Sequence, residues 1–241
     1  MKTLWNDAKT IFHLATPWRG NDGSQEKLEK FYQNQADYYD DFRKRLLHGR
    51  TELYSQIPIP QNGVWIDLGG GTGANFEAIQ EPSALKEMLV VDLCDPLLEV
   101  ARKRFRRLGW SQARAIHHDA STYRHRVKAD VVTLSYSLTM SKDWKKVVDN
   151  AFKLLKPGGV LGVVDFFISR KAAEEDEPQH SRFQRMFWPR WFSIDGVRLN
   201  PEHLEHLKGR FITNQVHYGE GRVPYLLGMR APYYWWLGRK T

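Results

Sequence analysis

Val64-Trp-Ile-Asp67-Leu-Gly69-Gly-Gly71-Thr-Gly73-Ala74 is an apolar run that ends in an acid and opens into a cluster of glycines. A buried strand that feeds a nucleotide-binding turn has this composition. A residue without a Cβ accepts positive φ and lets a ligand lie against the main chain, so Gly69, Gly71 and Gly73 read as room for a cofactor. Which nucleotide fills that room depends on the residues on either side.

Downstream, strands are expected at Met88–Leu93, Ala113–His118, Asp130–Leu134 and Val160–Phe167, with helical patterns at Asn75–Gln80, Pro96–Leu108 and Asp143–Leu155 between them. Nearly continuous apolar strands alternating with helices predict a mostly parallel sheet covered on both faces. Lys156-Pro-Gly-Gly159 is expected to end the last of these helices and turn the chain into the next strand. Two later strands, Phe211–Tyr218 and Tyr233–Leu237, bring the expected sheet to seven. Upstream, Leu28, Tyr32, Tyr39, Phe42 and Leu46 keep a period near 3.6 and predict a long helix over 24–48. Leu4, Ala8, Ile11, Phe12, Ala15 and Trp18 mark a shorter amphipathic segment suited to docking on its own domain or on a membrane. Residues 170–205 break the rhythm with charges and then Arg185-Met-Phe-Trp-Pro-Arg-Trp-Phe192, so they read as an insertion over the active-site edge. The expected organisation is one domain: a helical cap over 1–60, a cofactor-binding core over 61–168, a substrate-side insertion over 169–209 and C-terminal strands over 210–241.

The chain has 241 residues, 41% of them hydrophobic, enough for one sizeable α/β domain. Its single cysteine, Cys94, excludes an intrachain disulfide and argues against a cysteine-based metal site, which points to a reducing, cytoplasmic setting and no metal. A net charge of +8 attracts polyanions, either nucleic acid or anionic lipid. The cluster Arg102, Lys103, Arg104, Arg106 and Arg107 taken alone reads as a solvated helix face. No stretch approaches the ~18 apolar residues that span a bilayer, so the expected location is the cytoplasm, with contact at the cytoplasmic membrane face.

Gly69, Gly71 and Ala74 satisfy the loose dinucleotide pattern and admit NAD or FAD. Three acids favour S-adenosylmethionine instead. Asp67 stands at the strand end, where a cofactor with an ammonium group gains from a carboxylate and a dinucleotide does not. Asp92 closes the next strand, placed to accept both ribose hydroxyls. Asp119, followed by Ala120, ends the third strand, where the carboxylate can accept from an adenine amino group. Asp67 has a plainer reading as a cap of the turn that follows it and Asp119 as a helix cap, but the order of all three acids favours the cofactor.

Through Val64 to Gly73, Val91-Asp92, His118-Asp119, Asp130-Val-Val-Thr-Leu-Ser-Tyr136 and Leu155-Lys-Pro-Gly-Gly159, the chain resembles the class I S-adenosylmethionine-dependent methyltransferases. That resemblance implies a Rossmann-like fold whose seventh strand runs antiparallel. It places Tyr38, Asp67, Gly69, Gly71, Gly73, Asp92, Leu93, Asp119, Ala120 and Ser135 around the cofactor. Tyr136-Ser137 stands where enzymes that methylate amide nitrogens carry Asn-Pro-Pro-Tyr, which argues against nucleobase or glutamine acceptors.

The C-terminal half is more distinctive. His180-Ser-Arg-Phe183, Phe187-Trp-Pro-Arg-Trp-Phe192, Asp195-Gly-Val-Arg-Leu199, Gly219-Glu-Gly-Arg-Val223 and its continuation to Tyr234, with Ser135-Tyr-Ser-Leu-Thr-Met-Ser-Lys-Asp-Trp144, resemble the N-methyltransferases of betaine-lipid synthesis. By that resemblance the chain methylates diacylglycerylhomoserine up to three times, giving the trimethylated betaine lipid and S-adenosylhomocysteine, beside a homoserine-transfer enzyme of the same pathway. The residue types suit such chemistry. Aromatic faces of Tyr38, Tyr39, Tyr136 or Trp191 can hold a growing ammonium charge. Tyr136 and His180 are the candidate catalytic residues, His180 as proton acceptor, although a lone histidine is more often structural. Arg182, Arg222 and Arg230 are candidates to grip a homoserine carboxylate, or are surface ion pairs. The Phe187–Phe192 aromatics read equally as core or as lipid contact, and Tyr233–Trp236 as final strand or membrane anchor. Rival readings are a quinone or small-molecule methyltransferase of the same fold and a basic nucleic-acid-binding module with a vestigial glycine loop. No nucleic-acid partner is expected. An NAD-dependent oxidoreductase is disfavoured by Asp67.

Overall fold

A computed structural model describes residues 45–171, 176–194, 196–224, 226 and 228–241. Its elements are α1 (Arg50–Gln56), β1 (Val64–Leu68), β2 (Glu87–Asp92), α2 (Asp95–Arg107), β3 (Ala113–His117), β4 (Ala129–Ser135), α3 (Trp144–Leu154), β5 (Leu155–Phe166), α4 (Arg182–Ser193), α5 (Glu202–Arg210), β6 (Ile212–Arg222) and β7 (Arg230–Arg239). The strands form one sheet in the order β3-β2-β1-β4-β5-β7-β6. The first five run parallel, and β7 lies antiparallel between β5 and β6. This is the expected Rossmann-like α/β fold with seven strands, mostly parallel.

β1 is buried at every position because helices cover both faces of the sheet. Successive side chains point to opposite faces, so the core divides in two. Ile66, Leu68, Leu134, Val163 and Trp236 meet α3 and α5 on one side. Trp65, Met88, Val131 and Trp235 meet α1, α2 and α4 on the other. Tyr234, Trp235 and Trp236 are buried within β7, which decides that segment in favour of the strand.

Several expectations needed correction. Asn75–Gln80 is a single 3₁₀ turn, Ala74–Ala78, held between left-handed Gly73 and extended Ile79, which leave no room for a longer helix. Lys156–Gly159 does not separate helix from strand: β5 begins at Leu155, pairs there with Ala129, and shifts register before Val160 meets Val131. The segment 170–205 holds α4 and the start of α5. Of the expected helix over 24–48, residues 24–44 lie outside the described residues, as do Leu4 to Trp18 and Tyr38 and Tyr39; Arg45 and Leu46 are helical and the chain has left the helix by Leu47. Among the described residues no helix is long and apolar enough to cross a membrane.

Candidate active site

At the carboxyl edge of the parallel strands the chain after β1 turns through Gly69 at φ 72°, Gly71 at φ 54° and Gly73 at φ 68°. A Cβ at Gly69 would lie 2.6 Å from Cβ of Ser137, and one at Gly73 would lie 2.8 Å from the ring of Phe105. Both conformation and space therefore require glycine at these positions. The loop is pinned from the neighbouring strand: the Gly69 amide donates to the Val91 carbonyl at 2.7 Å and the Gly71 amide to Oδ2 of Asp92 at 2.9 Å.

Asp92 also accepts from the Cys94 amide at 2.9 Å through Oδ1. Each carboxylate oxygen keeps acceptor capacity beyond one amide, so anchoring the loop leaves Asp92 able to receive ribose hydroxyls. Leu93, next along, is 44% exposed and presents an apolar surface at the same edge. Asp119 is exposed, accepts from the Ser121 amide at 2.7 Å, and closes its turn through its carbonyl. It therefore serves as a cap while its carboxylate faces solvent. Ala120 accepts from the Asn150 side chain at 2.8 Å.

Asp67 is 0% exposed. Its Oδ1 accepts from Tyr54 at 3.0 Å and Thr133 at 2.8 Å, and its Oδ2 from Asn75 at 3.0 Å. On this geometry the carboxylate ties α1, β4 and the 3₁₀ turn together beneath the glycine loop, so it sets the shape of the cradle from below. Tyr54, Thr133 and Asn75 were not singled out in the sequence; the one signal was Thr133, a hydroxyl in an otherwise apolar strand. Burial, with the Asp67 charge next in weight, pushes the Tyr54 hydroxyl far above its ordinary pKa and keeps it a donor.

Opposite the loop, the hydroxyls of Ser135 and Ser137 are buried without a hydrogen-bond partner. A buried polar atom left unpaired costs about 1–3 kcal/mol, and a cofactor with an amino-acid end provides partners for such atoms. Glycines that leave the main chain bare, an Asp92 carboxylate with acceptor capacity to spare, an apolar surface at Leu93 and unpaired hydroxyls at the end of β4 together fit S-adenosylmethionine. Beside them lies a cleft of about 340 Å³ lined in part by His48, Arg50, Tyr54, Ala74 and Asn75.

Tyr136 is a non-glycine residue at φ 53°. Such a conformation costs on the order of 1–3 kcal/mol and persists only where its surroundings fix it. Three contacts do so: its amide donates to the Val164 carbonyl at 2.7 Å, its hydroxyl to the His48 carbonyl at 2.7 Å, and its ring meets Phe166 edge-on at 4.7 Å. Just beyond, the Thr139 amide and hydroxyl donate to buried Asp165 at 3.1 and 2.6 Å. Burial raises the Asp165 carboxyl to about 6, against the opposing pull of those hydrogen bonds.

His180 is not placed to take a proton at Tyr136. Its Nδ1 accepts from the Ser169 amide at 3.0 Å and its own amide donates to the Ser169 hydroxyl at 3.0 Å. Its ring packs on Phe167, whose side chain belongs to the opposite core from Tyr136. Burial is the main cause that lowers its pKa. The histidine pins the segment leading into α4. Arg182 is exposed in the first turn of α4, and Trp191, half-buried, packs against Trp188 and Phe192. Arg222 and Arg230 sit directly opposite each other on β6 and β7, and a ring nitrogen of His48 lies 3.0 Å from the Arg222 carbonyl. The structure thus joins Tyr136, His48 and the Arg222–Arg230 pair, and leaves His180 apart. Of the Phe187–Phe192 aromatics, Trp188 and Phe192 are core.

Residues 33–217 match the methyltransferase-domain family. The chain belongs to that family. S-adenosylmethionine is its cofactor, in agreement with the cradle just described. The chain is 27% identical over 157 residues to the mitochondrial 2-methoxy-6-polyprenyl-1,4-benzoquinol methylase of Caenorhabditis elegans, covering 59% of this chain and 53% of the relative. It is 29% identical over 180 residues to the ubiquinone/menaquinone biosynthesis C-methyltransferase of Pasteurella multocida (strain Pm70), covering 68% of this chain and 64% of the relative. It therefore spans a little over half to just under two thirds of the length of these relatives. Among solved structures, Haemonchus contortus phosphoethanolamine N-methyltransferase 2 with S-adenosyl-L-methionine superposes with a TM-score of 0.66 at 14% identity, over 91% of this chain and 60% of that one. This methyltransferase domain shares that fold.

Proposed function

We propose that this methyltransferase methylates the amine of diacylglycerylhomoserine, up to three times, to make the betaine lipid. The observation that carries the reading is the pairing of Arg222 with Arg230. Like charges directly opposite on adjacent strands destabilise a sheet, yet among the described residues neither arginine has an acidic partner. A ligand carboxylate between them removes the repulsion through charge-assisted hydrogen bonds. The pair lies at the sheet edge that carries the glycine loop, and His48 links it to Tyr136.

When bound, S-adenosylmethionine supplies an electrophilic methyl group. The acceptor nitrogen must arrive as the free amine, and its product carries more positive charge. The Tyr136 face suits that charge without donating a competing hydrogen bond. Holding the acceptor by its carboxylate also fixes where its amine lies, and such positioning is worth up to ~7–11 kcal/mol. A second reading, transfer to a polyprenyl quinol, is favoured by the activities for which the two relatives are named; a quinol offers no carboxylate for the arginines.

The test is incubation of purified protein with labelled S-adenosylmethionine and either diacylglycerylhomoserine or a demethylated polyprenyl quinol. Label in mono-, di- and trimethylated lipid is the expected result. Label in the quinol alone selects the second reading, and label in neither, with cofactor binding demonstrated, overturns both.

A further inference from the structure

α4 carries apolar side chains on both its inward and its outward face. Trp188 and Phe192 are inserted in the core. The outward face leaves Phe183 58% and Met186 52% exposed, with Ile194 just beyond the helix 49% exposed. Phe183 and Phe187 stack at 5.4 Å, and a shallow groove of about 390 Å³ runs along this face between Met186, Arg190, Trp191 and Ile194.

Charge identifies what covers it. The helix sequence Arg182-Phe-Gln-Arg-Met-Phe-Trp-Pro-Arg-Trp-Phe-Ser193 carries three arginines and no acid. Among the described residues none of the three forms an ion pair: Arg185 donates to the Arg170 carbonyl and Arg190 to the Met186 carbonyl. Guanidinium groups around exposed Phe, Met and Ile match the boundary where anionic head groups meet acyl chains, and the long arginine stems can keep their charge at that level. Twelve residues make a helix of about 18 Å, too short to span a bilayer.

We propose that α4 lies flat in the head-group layer of an anionic bilayer and is the surface through which the protein takes its acceptor. Phe192 on its inner face packs 4.1 Å from Phe166, which meets Tyr136, so one helix joins the membrane to the reacting edge. The arginines add electrostatic attraction near an anionic surface, and the aromatic side chains add shallow insertion. The inference deepens the proposed function and rests on it for the identity of the acceptor, but not for the binding itself.

Sedimentation of the full chain with phosphatidylcholine vesicles, with and without phosphatidylglycerol, tests it. Binding is expected to the anionic vesicles, weakened by salt, and about tenfold weaker in the double variant Phe183→Ser/Met186→Ser and in Arg190→Glu. Unchanged cofactor affinity and melting temperature in these variants show that the fold is intact. No binding by the parent protein, binding equal in the variants, or a stable dimer that hides α4 overturns the proposal. Activity is then measured on homoserine lipid in detergent micelles. Vesicle binding without methylation leaves the docking surface standing and overturns the acceptor; methylation in micelles without vesicle binding does the reverse.

Discussion

The Tyr136 hydroxyl donates to the main-chain carbonyl of His48 across 2.7 Å and thereby ties the end of β4 to the segment that leads into α1. Two strained or exposed features depend on that bond: the left-handed turn at Tyr136 and the position of His48 against Arg222. Tyr136→Phe keeps the aromatic face but removes a hydrogen bond worth about 1 kcal/mol. Methyl transfer should fall about fivefold in kcat/KM with cofactor affinity unchanged. Steady-state kinetics with both substrates varied, alongside calorimetry for the cofactor, checks this; an equal loss in cofactor binding would move Tyr136 out of the acceptor site.

Asp92 accepts from the Gly71 amide, which pins the glycine loop, and from the Cys94 amide just beyond β2. Asp92→Ala removes both the loop anchor and the acceptor we propose for the ribose, so cofactor affinity should drop at least about tenfold, as loss of a charged hydrogen bond implies. Gly69→Ala forces a methyl group against Ser137 and should weaken the cofactor by a comparable factor without touching any acid. Calorimetric titration with S-adenosylhomocysteine measures both. Parent-like affinity in Asp92→Ala would end the ribose assignment.

The brace below the loop predicts a loss of stability as well as of binding. Tyr54→Phe takes one donor from a fully buried carboxylate, which should cost about 1–3 kcal/mol. Chemical denaturation reads the stability directly. A cost below a few tenths of a kcal/mol would mean that Asp67 is satisfied without Tyr54.

The contrast between Asp92 and Asp67 shows what the sequence could reveal. β1 was readable to its last residue because every position is buried, and the glycines announce their own conformation. The partners of Asp67 were not readable, since α1, the 3₁₀ turn and β4 supply one each and only the fold brings them together. His48 acts through main-chain and ring contacts to distant segments, which leave no local pattern. α4 was hidden for a different reason. Pro189 argues against a helix interior, although Ser181 and Gln184 form a capping box that was legible as Ser-x-x-Gln. His180 misled because its residue type suggests chemistry, while its two hydrogen bonds to Ser169 give it a structural task.

Two buried groups on different elements tilt stability with pH in opposite directions. His203 packs edge-on against Trp144 at 4.6 Å with both ring nitrogens unpartnered, and burial, aided by His206, lowers its pKa from 6.5 to about 4. Between those values the unfolded chain takes up a proton that the folded chain refuses, so stability is full above pH 6.5 and falls as pH drops toward 4, by about 3 kcal/mol. Asp165 behaves inversely. Its carboxyl is raised from 3.8 to about 6, so the folded chain keeps a proton that the unfolded chain releases, and stability is full below pH 3.8 and falls by about 3 kcal/mol as pH climbs through 6. In the parent protein the two contributions offset one another across that window. His203→Phe, which keeps an aromatic ring against Trp144, should remove one opposing contribution and tilt stability downward from pH 4 to pH 6 relative to the parent. Asp165→Asn should leave His203 unopposed and make it rise from pH 4 to pH 6.5. Denaturation curves taken across this range compare slopes rather than absolute stabilities, so the packing cost of either substitution cancels. A slope equal to the parent's in either variant would show that the substituted group titrates as it does in the unfolded chain.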